Sequence, residues 1–380
     1  MEKEKLVRVL HYGLSENPGG IETYLLKIAS GICKKKFEFS FIEPLGSKVA
    51  FHDELENLGS GFYQITPRKV NYKKNKRDVA KLFDEGGFDI LHYHVNTLSY
   101  IEPVLAALKK DVRVVVHSRN AGAGGSRFTQ VMHAVNKFRV NRLPSNVKKI
   151  AVSSLAGEWL FGKGSSFDIY NNGVDLARFK FCSSAREGIR SELEVGEETH
   201  LLGCVAAFSP AKNQQFLVDI LRVLRDSKYF SNVKLLLVGD GALKPKVQDL
   251  VESYHLDGHV KFLGKRSDIP ELMSAMDTLL LPSFFEGFPN VVLEAQACGL
   301  QCLISDRITD EVVLDNGLVR QLPIDELSIP IWVEELKRCM QLPIALERRL
   351  TAWQGVEAAG FSTECEIKKI EELYEQLMSS

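Results

Sequence analysis

Two glutamates, Glu286 and Glu294, bracket the stretch Gly287-Phe288-Pro289-Asn290-Val291. The apolar run Thr278–Pro282 reads as a strand ending just before it. Pro289 and the apolar residues that follow predict a helix closed by Gly299. A helix that starts at a strand end leaves its first amides without intrahelical acceptors and presents a positive dipole end. That combination suits a diphosphate. Glu286 in the preceding loop and Glu294 about one turn into the helix would then lie either side of the anion, able to accept hydrogen bonds from ligand hydroxyls. The plainer alternative is a solvated loop glutamate and a glutamate on a helix face. For Glu294 that alternative is weak, because Leu293, Ala295 and Ala297 make the helix apolar nearly all round, and a carboxylate there needs partners.

A second glycine-bearing loop, Gly13–Gly20, follows the strand-like run Leu6–Tyr12 and precedes a helical pattern at Ile21. Gly19-Gly20 lets backbone approach a phosphate with no Cβ in the way, although a Gly-Gly pair alone is also an ordinary turn. His92 and His94 end another strand. They either line an acceptor site or, alternating with Leu91 and Tyr93, share one face for packing or solvent. No His, Cys or carboxylate cluster has metal-ligand spacing in the sequence, so no metal and no cofactor are expected. Seven scattered cysteines, none in a CxxC arrangement, read as free thiols of a cytoplasmic protein.

These residues must be held by elements that alternate from end to end. Strand candidates are Leu6–Tyr12, Phe37–Ile42, Gly61–Ile65, Asp89–Val95, Val112–Ser118, Lys149–Val152 and Asp168–Tyr170. After them come Leu201–Phe208, Val233–Val238, Val260–Leu263, Thr278–Pro282 and Gln301–Ile304. Amphipathic stretches such as Ile21–Ile32 and Lys76–Asp84 lie between them, which predicts parallel sheets covered on both faces. At 380 residues, two domains are expected. A junction fits the loss of periodicity after Asn171-Asn172-Gly173. The expected organisation is an α/β chain of two doubly wound Rossmann-like domains, residues 1–175 and 176–362, facing a central cleft. Residues 363–380 form a last helix packing back on the first domain.

The N-terminal Met1-Glu-Lys-Glu-Lys5 carries acids among its lysines and is unlike a signal peptide, and no apolar run is long enough to span a bilayer. Residues 1–175 hold 26 Lys and Arg against 18 Asp and Glu, whereas residues 176–380 hold 22 against 31. The basic half suggests an anionic partner, whether membrane, phosphate-bearing acceptor or nucleic acid. In Lys137-Phe-Arg-Val-Asn-Arg-Leu143, with Met132 and Val135 before it, basic and apolar residues share helical spacing, as an interfacial helix requires. A solvated helix face is the alternative.

The segment Ser283–Gly299 resembles retaining glycosyltransferases of family 4, which have the GT-B fold, and among them bacterial exopolysaccharide and capsule enzymes. Pro18-Gly-Gly-Ile-Glu22, Asn172-Gly-Val-Asp175, Lys212-Asn213, Val238-Gly-Asp-Gly241 and Phe262–Asp268 extend the likeness over nearly the whole chain. The resemblance implies transfer of a sugar, with retention and without a metal, from a nucleotide diphosphate, by analogy UDP. The first domain would bind the acceptor, a glycan or polyprenyl-diphosphate-linked glycan at the inner face of the membrane, and the second the nucleotide sugar; nucleic acid is not expected. It implies that Glu294 binds ribose hydroxyls and Glu286 donor-sugar hydroxyls. The amides of Gly287, Phe288, Asn290 and Val291 would hold sugar and diphosphate, with Gly19 and Gly20 approaching from the first domain. Lys212 would neutralise the diphosphate, Lys265-Arg266 would read the nucleobase, and His117 would stand beside the donor sugar. One position departs: Ala206-Ala207-Phe208 replaces the family's Gly-Arg-Phe, removing an arginine that binds the diphosphate. Arg119 or Arg266 could inherit that role. The alternative is a weakly active or non-catalytic nucleotide-sugar-binding protein, and an epimerase or a phosphorylase fits the motif order less well.

Overall fold

The computed structural model describes residues 6–122, 126–144 and 146–379, so Met1–Lys5 lies outside the described residues. The chain divides into two compact units, residues 1–172 with 363–380, and residues 173–362. The boundary falls at Gly173 rather than after Asp175. Val174 donates its amide to the Phe361 carbonyl at 2.7 Å and bridges Ser362 in parallel, which binds it to the second unit.

The first unit is built on seven parallel strands: β1 Val7–Tyr12, β2 Phe37–Pro44, β3 Gly61–Ile65, β4 Ile90–Val95, β5 Arg113–Ser118, β6 Val147–Ala151 and β7 Asp168–Ile169. Their order is β3-β2-β1-β4-β5-β6-β7, so the winding direction reverses between β1 and β4. One face buries Leu10, Leu91, Val114 and Val116. On the other face Val9, Ile90, Val115 and Ile150 pack against the helix Gly20–Gly31 and the C-terminal helix Thr363–Ser379. That last helix supplies Ile370, Leu373, Tyr374 and Leu377 to this core, although it follows the rest of the unit by some 190 residues of chain.

The second unit carries six parallel strands: β8 His200–Val205, β9 Val233–Val238, β10 Val260–Gly264, β11 Thr278–Leu281, β12 Gln301–Ser305 and β13 Val319–Leu322. Their order is β10-β9-β8-β11-β12-β13, and here the reversal falls between β8 and β11. Open α/β sheets bind ligands beyond the strand ends at such a reversal. The loops after β8 and β11 are therefore where the second unit's chemistry belongs, and the loops after β1 and β4 are the counterpart in the first.

Candidate active site

The loop after β8 runs through a single 3-10 turn, Pro210–Lys212, and Asn213 takes the left-handed conformation before the helix Gln214–Leu224. It is locked from two sides. The Phe284 amide donates to the Ala211 carbonyl at 2.8 Å, which ties it to the loop after β11. On the other side lies Val238-Gly-Asp-Gly241. A Cβ on Gly239 would stand 2.2 Å from the Ala206 carbonyl oxygen, and one on Gly241 would stand 2.4 Å from that of Phe208. Both glycines also have positive φ, so this close backbone seam excludes any side chain.

Within that frame Lys212 Nζ lies 2.5 Å from Glu286 Oε1, and the same carboxylate oxygen accepts from Ser283 Oγ at 2.7 Å. Glu286 is buried, and Lys212 is half-buried. The helix Asn290–Ala297 begins directly after, and no side chain caps its N-terminus. Glu294 is half-buried on it while Val292, Leu293, Ala295 and Ala297 are buried. Phe288 turns its ring inward to stack on Phe361 at 5.9 Å between centroids. Glu286, Gly287, Phe288, Asn290, Val291, Glu294 and Lys212 thus lie on two adjoining loops and one helix start. Arg307, exposed in the loop after β12, holds its guanidinium 5.9 Å from the Phe284 ring centroid. Sequence reading missed this cation, since nothing in Asp306-Arg307-Ile308 marks it as neighbour to a loop more than twenty residues earlier.

Two expected substitutes for the absent arginine are already engaged. Arg266 forms a two-point pair with Asp268 (2.8 and 2.6 Å) and a further bond of 2.9 Å to Glu192, which together hold its guanidinium even more firmly charged. Arg119 is buried in the first unit, donating to His117 Nε2 at 3.1 Å and to Asn172 Oδ1 at 3.0 Å, and lies 3.8 Å from the Tyr24 ring centroid. Ala207 itself is exposed, and its carbonyl accepts from Gln214 Nε2 at 2.9 Å.

The first unit corrects one sequence reading and decides another. His117 does not present a free ring edge to a ligand: it is fully buried, and both nitrogens are occupied. A guanidinium only donates, so His117 Nε2 accepts from Arg119 and Nδ1–H donates to His92 Nε2 at 3.0 Å. His92 Nδ1–H then reaches Tyr374 Oη at 2.6 Å. Of the two alternatives for His92 and His94, the packing face holds and the acceptor site does not, because both are buried within the sheet's packed layer. His11 completes the layer, with Nδ1 3.2 Å from His94 Nε2. Burial lowers the pKa of all four imidazoles, that of His11 to about 3.

Folding brings together possible ligand groups that sequence spacing does not show. One ligand atom from each of His11, His92 and His94 lies within 4.8 Å of the others, and so do those of His52, Asp53 and Glu56. Sequence spacing hid the first cluster, because β1 and β4 pair with His11 opposite His92. The Gly13–Gly20 loop is held from inside: buried Glu22 accepts from the Ser15 amide and hydroxyl, both at 2.8 Å. Gly19 precedes an uncapped helix start at Gly20.

Comparison with known proteins agrees with this fold. Structures of HepE from Anabaena, solved with UDP and with UDP-glucose, superpose with TM-scores of 0.77 and 0.75 at 22% and 23% identity. They span 97% of this chain and 100% and 99% of theirs. The architecture is GT-B. The family description "Glycosyltransferase Family 4" matches residues 18–178, and "Glycosyl transferases group 1" matches residues 199–338. The chain belongs to these glycosyltransferases. EpsF of Bacillus subtilis, named as a glycosyltransferase, is 29% identical over 340 residues, 87% of each chain. An Escherichia coli UDP-Gal:alpha-D-GlcNAc-diphosphoundecaprenol alpha-1,3-galactosyltransferase is 24% identical over 320 residues, 79% of each.

Proposed function

We propose that the chain is a retaining, metal-independent glycosyltransferase that moves a sugar from a UDP-sugar to a lipid-linked glycan during bacterial polysaccharide assembly. The Lys212–Glu286–Ser283 cluster carries this reading: it lies at the sheet reversal of the second unit, against an uncapped helix start. Lys212 has three N–H donors, so it can keep Glu286 in place and still donate to a phosphate oxygen. Cleavage of the sugar–phosphate bond leaves negative charge on the departing nucleotide. Lys212 and the helix start stabilise that charge most when it is fullest, which lowers the barrier. Glu286 orients the sugar hydroxyls and Glu294 the ribose. With no carboxylate assigned as enzymic nucleophile, the leaving phosphate oxygen takes the acceptor proton on the same face, and configuration is retained. UDP is chosen because HepE was solved with UDP-glucose and the Escherichia coli relative is named for UDP-Gal.

The acceptor class rests on the first unit. No helix among the described residues is long and apolar enough to cross a membrane. The helix Arg127–Val140, however, exposes Phe128 (74%), Val131, Val135 and Phe138 (59%) on one face, with Lys137, Arg139 and Arg142 close by. Apolar residues flanked by cations suit the interface of an anionic bilayer. This face supports the proposal of peripheral contact at the inner membrane face.

A second reading, a nucleotide-sugar binder without turnover, draws on the absent arginine and on the engagement of Arg119 and Arg266. One experiment separates the two. UDP-, GDP- and ADP-sugars are screened by thermal shift, and nucleotide release is measured with the sugar that stabilises most. Release above the uncatalysed rate supports the transferase. Saturable UDP-sugar binding with no release or transfer supports the binder.

A further inference from the structure

With His92 and His94 inside the core, the acceptor needs another place. We infer that it is a pair of adjoining cavities in the first unit, separated by Arg68 and Lys69, and that they take an amphiphile joining an apolar chain to a phosphate. This rests on the proposed lipid-linked acceptor and assigns its site.

The larger cavity, about 480 Å³, has walls of Ile101, Leu105, Phe128 and Met132, with Arg68, Lys69 and Arg139 around it. The smaller, about 290 Å³, is lined by Tyr12, Pro44 and Ile65, which end β1, β2 and β3, and again by Arg68 and Lys69; its one carboxylate, buried Glu43, is already engaged by His52 Nδ1 and Gln64 Nε2, each at 3.0 Å. The two cations therefore form the shared wall. Among the described residues neither is paired with a carboxylate, and Arg68 lies 5.0 Å from the Tyr100 ring centroid. The one carboxylate in the larger cavity, Glu102, is already paired with Lys76 at 3.1 Å and accepts from Tyr72 Oη at 3.1 Å. The shared wall thus presents net positive charge to whatever crosses it.

Position orients the ligand. The smaller cavity sits at the strand ends, where doubly wound folds do their chemistry, so it receives the reacting, hydroxyl-bearing end. The larger runs beside the helix Arg127–Val140 and includes Phe128, the first residue of that helix's exposed apolar stripe. An apolar chain leaving this cavity passes directly onto the stripe. A free phosphate would use the cations but leave the apolar walls wet, and a plain lipid would leave the cations unmatched.

The test uses the intact chain and farnesyl diphosphate as probe, with inorganic diphosphate and farnesol as the two half-ligands, read by titration calorimetry without donor. Farnesyl diphosphate should bind saturably and at least tenfold more tightly than either half. Arg68→Glu with Lys69→Glu should weaken it at least tenfold, and Phe128→Ser severalfold. These residues are on exposed segments, and melting temperature with UDP binding checks that each variant is folded. The inference is overturned if farnesyl diphosphate fails to bind to folded protein, if inorganic diphosphate binds equally well, or if charge reversal changes nothing. Loss of UDP-sugar turnover in wild type would instead sink the transferase reading while leaving this binding result intact.

Discussion

Acidification should destabilise the first unit well above the pH at which carboxylates titrate. His11, His92, His94 and His117 are fully buried, and every one has its pKa lowered, chiefly by desolvation. Arg119 lies against His117, and its charge lowers His92, His94 and His117 further; Tyr374 and Tyr24 face the same layer and are neutral. A base whose pKa is lower folded than unfolded binds more protons when unfolded. Its stabilising share is therefore complete above about pH 6.5 and is lost as pH falls toward the folded pKa. For His11, with a folded pKa of about 3, the loss at pH 5 is about 2 kcal/mol. Burial lowers the other three imidazoles in the same direction, so their protonation adds to that loss. Depressed carboxylates such as Asp268 and Asp277 act in the same direction but only below about pH 4, so pH 7 to 5 isolates the imidazoles. The assay is the urea midpoint by far-UV circular dichroism across that range, repeated with His11→Gln. The midpoint should fall steeply below pH 6.5, and less steeply in the variant. An unchanged midpoint at pH 5 would refute the claim that these imidazoles are buried and neutral.

Ala207 is exposed, so Ala207→Arg has room and should tighten UDP binding by about 1–2 kcal/mol in calorimetry; no gain in a folded protein would mean that another cation, such as Arg307 beside Phe284, already fills that place. Chelation by EDTA should leave sugar transfer unchanged, and loss restored by manganese or magnesium would overturn the metal-independent route. Binding to anionic liposomes should be salt-sensitive, and Arg139→Glu with Arg142→Glu should weaken it about tenfold or more, each basic residue at the surface contributing about 1 kcal/mol; indifference to anionic liposomes at low salt would favour a soluble acceptor.

Much of the fold could be read from local pattern, because central parallel strands are short apolar runs whatever lies beside them. β9 was expected at Val233–Val238 and β3 at Gly61–Ile65, and both lie there. β13 was missed: Val319-Arg-Gln-Leu322 is an edge strand, paired only to β12 and partly exposed, so it lacks the apolar signal. The donor loop was legible because Glu286, the helix start and Glu294 are neighbours in sequence. What escaped depends on partners distant in sequence. The histidine layer exists because β1, β4 and β5 align in register. Arg266 is held by Glu192, 74 residues earlier, and Tyr374 reaches His92 across 282 residues. No single stretch of chain carries those facts.

The central claim is that the second unit holds a UDP-sugar between Glu286 and Glu294. Titration calorimetry with UDP and UDP-glucose on wild type, Glu286→Ala and Glu294→Ala tests it most directly. A lost carboxylate–hydroxyl bond is worth about 1.5–3 kcal/mol, so Glu294→Ala should weaken UDP at least tenfold. Glu286→Ala should keep UDP affinity within a few-fold and lose the additional affinity contributed by the sugar. A folded Glu294→Ala protein that binds UDP as wild type does would contradict the account.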